Sequence, residues 1–196
     1  MGIILASASP RRSEILENLK IPFQKRTSSI DESNYKMDNP LELVKILAYE
    51  KARSVRLPQD EDLLIIGADT IVVLGQTILG KPKNAEEATT YLKLLSGKAH
   101  SVYTGLAMIK SRDEALFLDY CETKVFMRSY RDEEIKAYIQ TKEPMDKAGA
   151  YGIQGFGAAL VEKIEGDYYN VVGLPISKLI EGFQFHGMDY FDSYHP

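Results

Sequence analysis

The sequence predicts an α/β protein, because segments of strand character and segments of helical spacing take turns along the chain. Three stretches carry that reading. An apolar run at residues 2–6 leads into a helix-start signal, a helical stripe covers residues 41–56, and LLIIGADTIVVL follows it at residues 63–74. This last run is apolar except for Asp69 and Thr70, and Asp69 is its single ionisable group. As one strand it would reach about 40 Å at ~3.3 Å per residue, well beyond the usual length of about five or six residues. It is therefore expected to bend or end near Gly67, where the missing side chain allows a bulge or a close backbone approach. A carboxylate in such a run carries a large desolvation cost unless it is paired, meets a metal or opens onto a cleft; the other reading is a solvated Asp at a strand end.

Residues 2–6 read as a short strand. In SASPRRSEILENL, Ser9 as N-cap and Pro10 at the first helical position mark a helix start, with Ile15, Leu16 and Leu19 on one face. Arg11 and Arg12 fall in its first turn, where the helix dipole disfavours cations. An anion held between them and the backbone N–H groups would account for both, as would pairing with Glu14 or exposure to solvent. Residues 23–26 are strand-like, and the polar loop SSIDESNYKMDNP carries Asp31 and Glu32, acids of a kind that loops commonly leave solvated. In the helix at 41–56, Leu41, Val44, Leu47, Ala48, Ala52 and Val55 share one stripe, while Leu43 and Ile46 fall off it. Lys51 lies in the middle of that stripe, so its ammonium must snorkel outward or meet negative charge.

Beyond the central run, Lys81-Pro82 sits in the turn after a short strand, and Asn84 with Glu87 resembles a capping box. Ala88, Tyr91, Leu92 and Leu95 keep helical spacing, and Gly97 ends the helix. SGK at residues 96–98 is not a phosphate-binding P-loop, because the earlier glycine of that motif is absent. Residues 100–110 and 119–129 alternate as strands around a turn at 112–114. Ser129 with Asp132 is expected to cap a helix through Gln140. Four glycines and four alanines between residues 148 and 159 leave little side-chain bulk, so another group can approach this backbone closely. Residues 160–164 and 168–172 are expected to form a hairpin around Gly166-Asp167. Pro175 starts a last helix ending near Gly182, and an aromatic tail follows.

Composition bounds the partners. A net charge of −4 over 196 residues and a pI near 5.5 give no basic stripe for nucleic acid, so any phosphate site must be a local basic pocket. One cysteine, Cys121, excludes an internal disulfide and the usual zinc clusters. No apolar run approaches the ~20 residues of a membrane helix. These features predict a soluble, cytoplasmic protein with no membrane partner.

SASPRR, GADTIVV, LGKP, LSGKAHSVYTG, EPMDKAGAYGIQG and GDYYNVVGLP occur in this order. As a set they resemble the Maf family of nucleotide pyrophosphatases, from residue 3 to about residue 180. GADT together with AGAYGIQG is similar to the subgroup acting on dTTP and UTP; the subgroup acting on 7-methyl-GTP differs at both places. The resemblance implies a mixed sheet with flanking helices in two lobes around a cleft, of the Maf and inosine-triphosphatase type. It implies one Maf-like domain over residues 1–196, with the tail beginning at about 183. It also implies hydrolysis of a nucleoside triphosphate to the monophosphate and pyrophosphate with a divalent metal cation (Mg, Mn or Co), and a homodimer.

Carried over residue by residue, Asp69 matches the proton-accepting carboxylate and Glu32 the second functional acid; the pair would hold the metal, accept the proton, or both. Only the resemblance raises Glu32 above an ordinary loop acid. Lys51 and Lys81 match the site lysines, and Arg11, Thr70 and Gln154 match positions tied to substrate choice. A triphosphate carries about four negative charges, and Arg11, Arg12, Lys51 and Lys81 with a helix N-terminus supply the cations and N–H groups it requires. Gln154 offers an amide donor and acceptor suited to the O4 and N3–H edge of thymine or uracil. Two other functions stand beside this one. The first is an inosine- or xanthosine-triphosphatase-like enzyme for damaged purine nucleotides. The second is a nucleotide-binding regulator of septum formation with little turnover, against which the retained Asp69, Glu32 and both lysines speak.

Overall fold

The computed structural model describes residues 1–35 and 37–191. In chain order it contains β1 (Gly2–Leu5), α1 (Pro10–Asn18), β2 (Gln24–Lys25), α2 (Pro40–Ser54), β3 (Leu63–Leu74), β4 (Thr77–Leu79) and α3 (Ala85–Leu95). β5 (Ala99–Lys110), β6 (Leu116–Met127), α4 (Asp132–Gln140), β7 (Val161–Glu165), α5 (Tyr168–Val172) and α6 (Ile176–Phe185) follow. The strands form one mixed sheet in the order β2-β1-β3-β5-β6-β7, with β4 paired to β3. β1 lies parallel to β2 and to β3, with Ile4 opposite Ile65, whereas β3–β4 and β6–β7 are antiparallel. The mixed α/β class expected from the sequence is the class observed.

The chain divides into two compact units, one of residues 1–69, 104–121 and 173 onward, the other of residues 70–103 and 122–172. In the first unit, Ile4, Ala6, Ala48, Ala52, Val55, Ile65, Ala107 and Ile109 pack together, flanked by Tyr49 and Leu63. α2 reaches the sheet at two glycines. A Cβ built on Gly67 would stand 2.3 Å from the Ala48 carbonyl oxygen, and one on Gly105 would stand 2.2 Å from that of Val44. Helix backbone thus lies where side chains would otherwise separate the layers. Leu43, which the helical stripe leaves out, is buried as well.

β3 does not break. It runs on as one strand past Gly67 to Leu74, contrary to the expectation of an end near Gly67. Its length is supported from both ends, since β1 pairs with residues 63–66 and β4 with residues 72–74. Gly67 serves the close approach of α2 instead.

Three further expectations are corrected. Residues 168–172 are helix α5 and not a hairpin arm, because the Asp167 carboxylate accepts from the N–H groups of Tyr169 (2.7 Å) and Asn170 (3.3 Å) and caps a helical turn. α4 begins beyond Arg131, whose N–H donates to Glu134 Oε2, so Ser129 is not its cap. α6 continues past Gly182, where the absent side chain admits Met108 Sδ, 2.1 Å from the position a Cβ would take. Of the expected aromatic tail, Tyr190 is fastened by its hydroxyl to the Leu19 carbonyl, and residues 192–196 lie outside the described residues. No helix among the described residues is long and apolar enough to cross a membrane.

The core of the second unit includes Val72, Leu92, Leu95, Val125, Met127, Ile135 and Tyr138. It also holds a buried polar pair, in which His100 Nε2 lies 2.7 Å from the Tyr151 hydroxyl while Nδ1 has no hydrogen-bond partner among the described residues. Burial lowers the His100 pKa from 6.5 to about 4. The unfolded chain therefore takes up a proton near pH 6.5 that the folded chain refuses until about pH 4, and stability is lost as pH falls through that window. The full loss attributable to this group is about 3 kcal/mol. Urea titrations at pH 7 and pH 4.5 should show a smaller fall for His100→Gln than for the parent protein; equal falls would contradict it.

Candidate active site

Asp69 lies two residues beyond Gly67 on β3 and therefore on the face that α2 covers. Lys51, on the last turn of α2, stands between the helix positions Ala48 and Ala52 that touch Gly67. Its ammonium is thereby brought to the carboxylate. Lys51 Nζ donates to Asp69 Oδ1 at 2.5 Å and lies 2.6 Å from Glu32 Oε1. Asp69 is 6 % exposed, so its carboxylate is paired rather than solvated, and Lys51 meets negative charge rather than snorkelling. The Glu32 side chain is 44 % exposed, which leaves the second acid open to solvent.

Glu32 is set by its neighbour. Asp31 accepts from the N–H (3.0 Å) and hydroxyl (2.6 Å) of Ser33, capping the single 3-10 turn Glu32–Asn34. The same bonds hold the Asp31 carboxyl below its usual pKa. The loop acid that the residues leave unremarkable thus has a built turn beneath it.

The two arginines lie in the first turn of α1, both half-buried. Arg12 donates from Nε to the Gly173 carbonyl at 2.7 Å and from Nη1 to Ser7 Oγ at 3.3 Å. Burial draws its pKa below the ordinary guanidinium value, Asp69 and Glu32 oppose that shift, and Arg11 reinforces it. Arg11, Arg12, Asp69 and Glu32 therefore lie within one electrostatic neighbourhood. The Ser9 side chain makes no capping bond, and the first turn of α1 holds no acid. Ser7 takes part instead: it is 4 % exposed and its hydroxyl accepts from the Ser9 N–H at 3.1 Å. Sequence reasoning did not single out Ser7, although a hydroxyl two residues ahead of the helix-start serine was a readable signal.

In the second unit, Lys81 is exposed and follows Gly80, whose carbonyl accepts from the Gly149 N–H at 3.0 Å. Gln154 is exposed at the start of the 3-10 segment Gly155–Leu160. Thr70 follows Asp69 on β3 and is half-buried. Asp69, Lys51, Glu32 and the arginines are thus brought together, while Thr70, Lys81 and Gln154 belong to the second unit.

Asp69 and Glu32 present two hard carboxylate oxygens to a shared cation, now the Lys51 ammonium. Two carboxylates match the number of protein ligands a Mg²⁺ bound along with substrate phosphates uses. Flanking arginines suit phosphate oxygens, because a guanidinium binds them as a planar fork.

Fold and site together define an α/β protein in which a lysine joins two carboxylates in the neighbourhood of two arginines. The chain belongs to the Maf family, matching Maf-like protein over residues 2–184. A dTTP/UTP pyrophosphatase of Alkaliphilus oremlandii (strain OhILAs) is 56% identical over 178 residues, which is 90% of this chain and 92% of the relative. One from Clostridioides difficile (strain 630) is 50% identical over 179 residues, 91% and 92% of the two chains. Among solved structures, a HAM1 protein from Coxiella burnetii aligns over 82% of this chain and 80% of its own, with a TM-score of 0.45 and 15% identity.

Proposed function

We propose that the chain is a nucleoside triphosphate pyrophosphatase that hydrolyses dTTP and UTP to the monophosphate and pyrophosphate. The observation that carries this reading is the Lys51 ammonium bridging buried Asp69 and open Glu32, at 2.5 and 2.6 Å, close to two arginines. The names of the curated relatives support the substrate class.

Arg11, Arg12, Lys51 and Lys81 bind the phosphate oxygens. Asp69 accepts the proton of a water that attacks the α-phosphorus. The new bond joins that water's oxygen to the α-phosphorus, and the bond to the α–β bridging oxygen breaks to release pyrophosphate. Lys51 holds Asp69 and Glu32 in place before substrate arrives. Asp69 and Glu32 would hold a divalent cation (Mg, Mn or Co), which when bound offsets charge on the departing pyrophosphate. Arg11, Thr70 and Gln154 act in substrate choice, with the Gln154 amide reading the O4 and N3–H edge of the base.

The test is a panel of standard and modified triphosphates with Mg²⁺, Mn²⁺ or Co²⁺, assayed separately for pyrophosphate and orthophosphate. dTTP and UTP are expected to turn over fastest, yielding pyrophosphate. Orthophosphate as the product, or a preference for inosine and xanthosine triphosphates, would overturn the reading.

A further inference from the structure

The glycine-rich segment at 148–159 was expected to leave its backbone open to another chemical group. In the structure that group is the protein's own. Glu143, in the 3-10 turn Glu143–Asp146, accepts from the Phe156 N–H at Oε1 (3.1 Å) and from the Gly157 N–H at Oε2 (3.3 Å). Two oxygens of one carboxylate meet two successive amides, a charge-assisted pairing that an amide or hydroxyl side chain cannot reproduce.

The glycines are shaped to this contact. Gly155 has φ +64°, and a Cβ there would stand 2.5 Å from Glu143 Oε1. A Cβ on Gly157 would stand 2.5 Å from the Tyr138 hydroxyl. That hydroxyl, on a side chain buried in α4, accepts from the Gly152 N–H at 3.2 Å. Burial raises the Tyr138 pKa and the charge of Glu143 raises it further, so Tyr138 stays a neutral phenol. The acid is fastened in turn, since its N–H donates to Thr141 Oγ1 at 3.1 Å and its carbonyl accepts from Lys147 Nζ at 2.7 Å.

Gln154 lies between these two grips. The backbone is held two residues before it by Tyr138 and two and three residues after it by Glu143. Gln154 occupies the cap position of the Gly155–Leu160 segment, yet its side chain makes no capping bond there. Glu143 performs the capping, and the exposed Gln154 amide is spared for another use.

We propose that Glu143 is a positioning residue for Gln154, its clamp on the 156 and 157 amides fixing where the Gln154 amide presents itself to the pyrimidine base. This rests on the reading of Gln154 as the group that selects the base. Base selection by a polar amide depends on placement, because a shifted donor and acceptor pair leaves buried polar groups unmatched on both partners.

The experiment measures kcat and KM for UTP and CTP, which differ only at the base edge, in the parent protein, Glu143→Ala, Glu143→Gln, Gln154→Ala and the Glu143→Ala/Gln154→Ala double variant. Amide hydrogen exchange at residues 156 and 157 is followed alongside. Glu143→Ala should lower the UTP:CTP ratio of kcat/KM by about 10-fold or more, chiefly through KM for UTP. The double variant should lose no more of the ratio than Gln154→Ala alone. Glu143→Gln keeps one accepting oxygen and should fall between parent and Glu143→Ala, and exchange at both amides should quicken. A merely structural role would lower both nucleotides alike and leave the ratio intact. If Gln154→Ala changes the ratio but Glu143→Ala does not, or if the two losses add, the positioning role is overturned while the base-reading role stands. If Gln154→Ala itself leaves the ratio unchanged, the base reading fails and the positioning role fails with it. Should Glu143→Ala not fold, Gly155→Ala drives a methyl against the same carboxylate and must also lower the ratio; an unchanged ratio overturns the proposal.

Discussion

Asp69→Asn is expected to lower kcat on dTTP by about 10²–10⁴-fold, the usual worth of a positioned general base. The substitution keeps the size of the side chain and one accepting oxygen, so Lys51 retains a hydrogen-bond partner at that position. The same ammonium also keeps Glu32, 2.6 Å away. Breaking a buried ion pair by removing one partner commonly costs about 3–5 kcal/mol because a charge is left stranded. Here the surviving Glu32 contact should hold the loss to about 1–3 kcal/mol, as for a weakened hydrogen bond to a charged group. Pyrophosphate release at saturating dTTP reads the first effect and thermal melting the second. A folded variant with unchanged kcat would remove Asp69 from the role of proton acceptor.

Gly67→Ala is expected to destabilise the fold and the site together. The added methyl would stand 2.3 Å from the Ala48 carbonyl oxygen, 2.7 Å from the Ala52 nitrogen and 2.9 Å from the Ala52 Cβ. Two of these obstacles are helix backbone, which cannot swing aside as a flexible side chain does. Overpacking of this kind costs about 1–3 kcal/mol, or a drop of about 3–10 °C in Tm for a chain of this size. Relief requires α2 to move off β3, and α2 carries Lys51. Displacement of a catalytic group by about 1 Å can cost 10²-fold in rate, so activity should fall even at temperatures where the variant stays folded. Gly80→Ala is the comparison for stability, since a Cβ there meets nothing within 4 Å. An unchanged Tm for Gly67→Ala would mean that α2 is not seated on that glycine.

The failures of sequence reading share a cause. The hairpin expected at residues 160–172 treated Gly166-Asp167 as a turn between strands, whereas Asp167 spends its carboxylate on two amides ahead of it and winds residues 168–172 into a helix. The break expected in β3 counted residues without its neighbours, and β1 and β4 support its two ends. Gly182 reads as a helix stop by residue type, yet it lies inside α6 because Met108 needs the space. Glu143 was passed over because an acid before a proline carries no signal of the amides it will meet in residues 156 and 157.

Segment alternation, ordered motifs and helical spacing determined the α/β class, the family and the inward lysine of α2, since each is written in the order of residues along the chain. Folding alone decided that Lys51 joins Asp69, 18 residues away, to Glu32, that Ser7 and the Gly173 carbonyl hold Arg12, and that Glu143 occupies the glycine-rich backbone. Those contacts bring together groups distant in the chain, and a charge or a hydrogen-bond donor finds its partner only when strands and helices pack closely enough to exclude water between them.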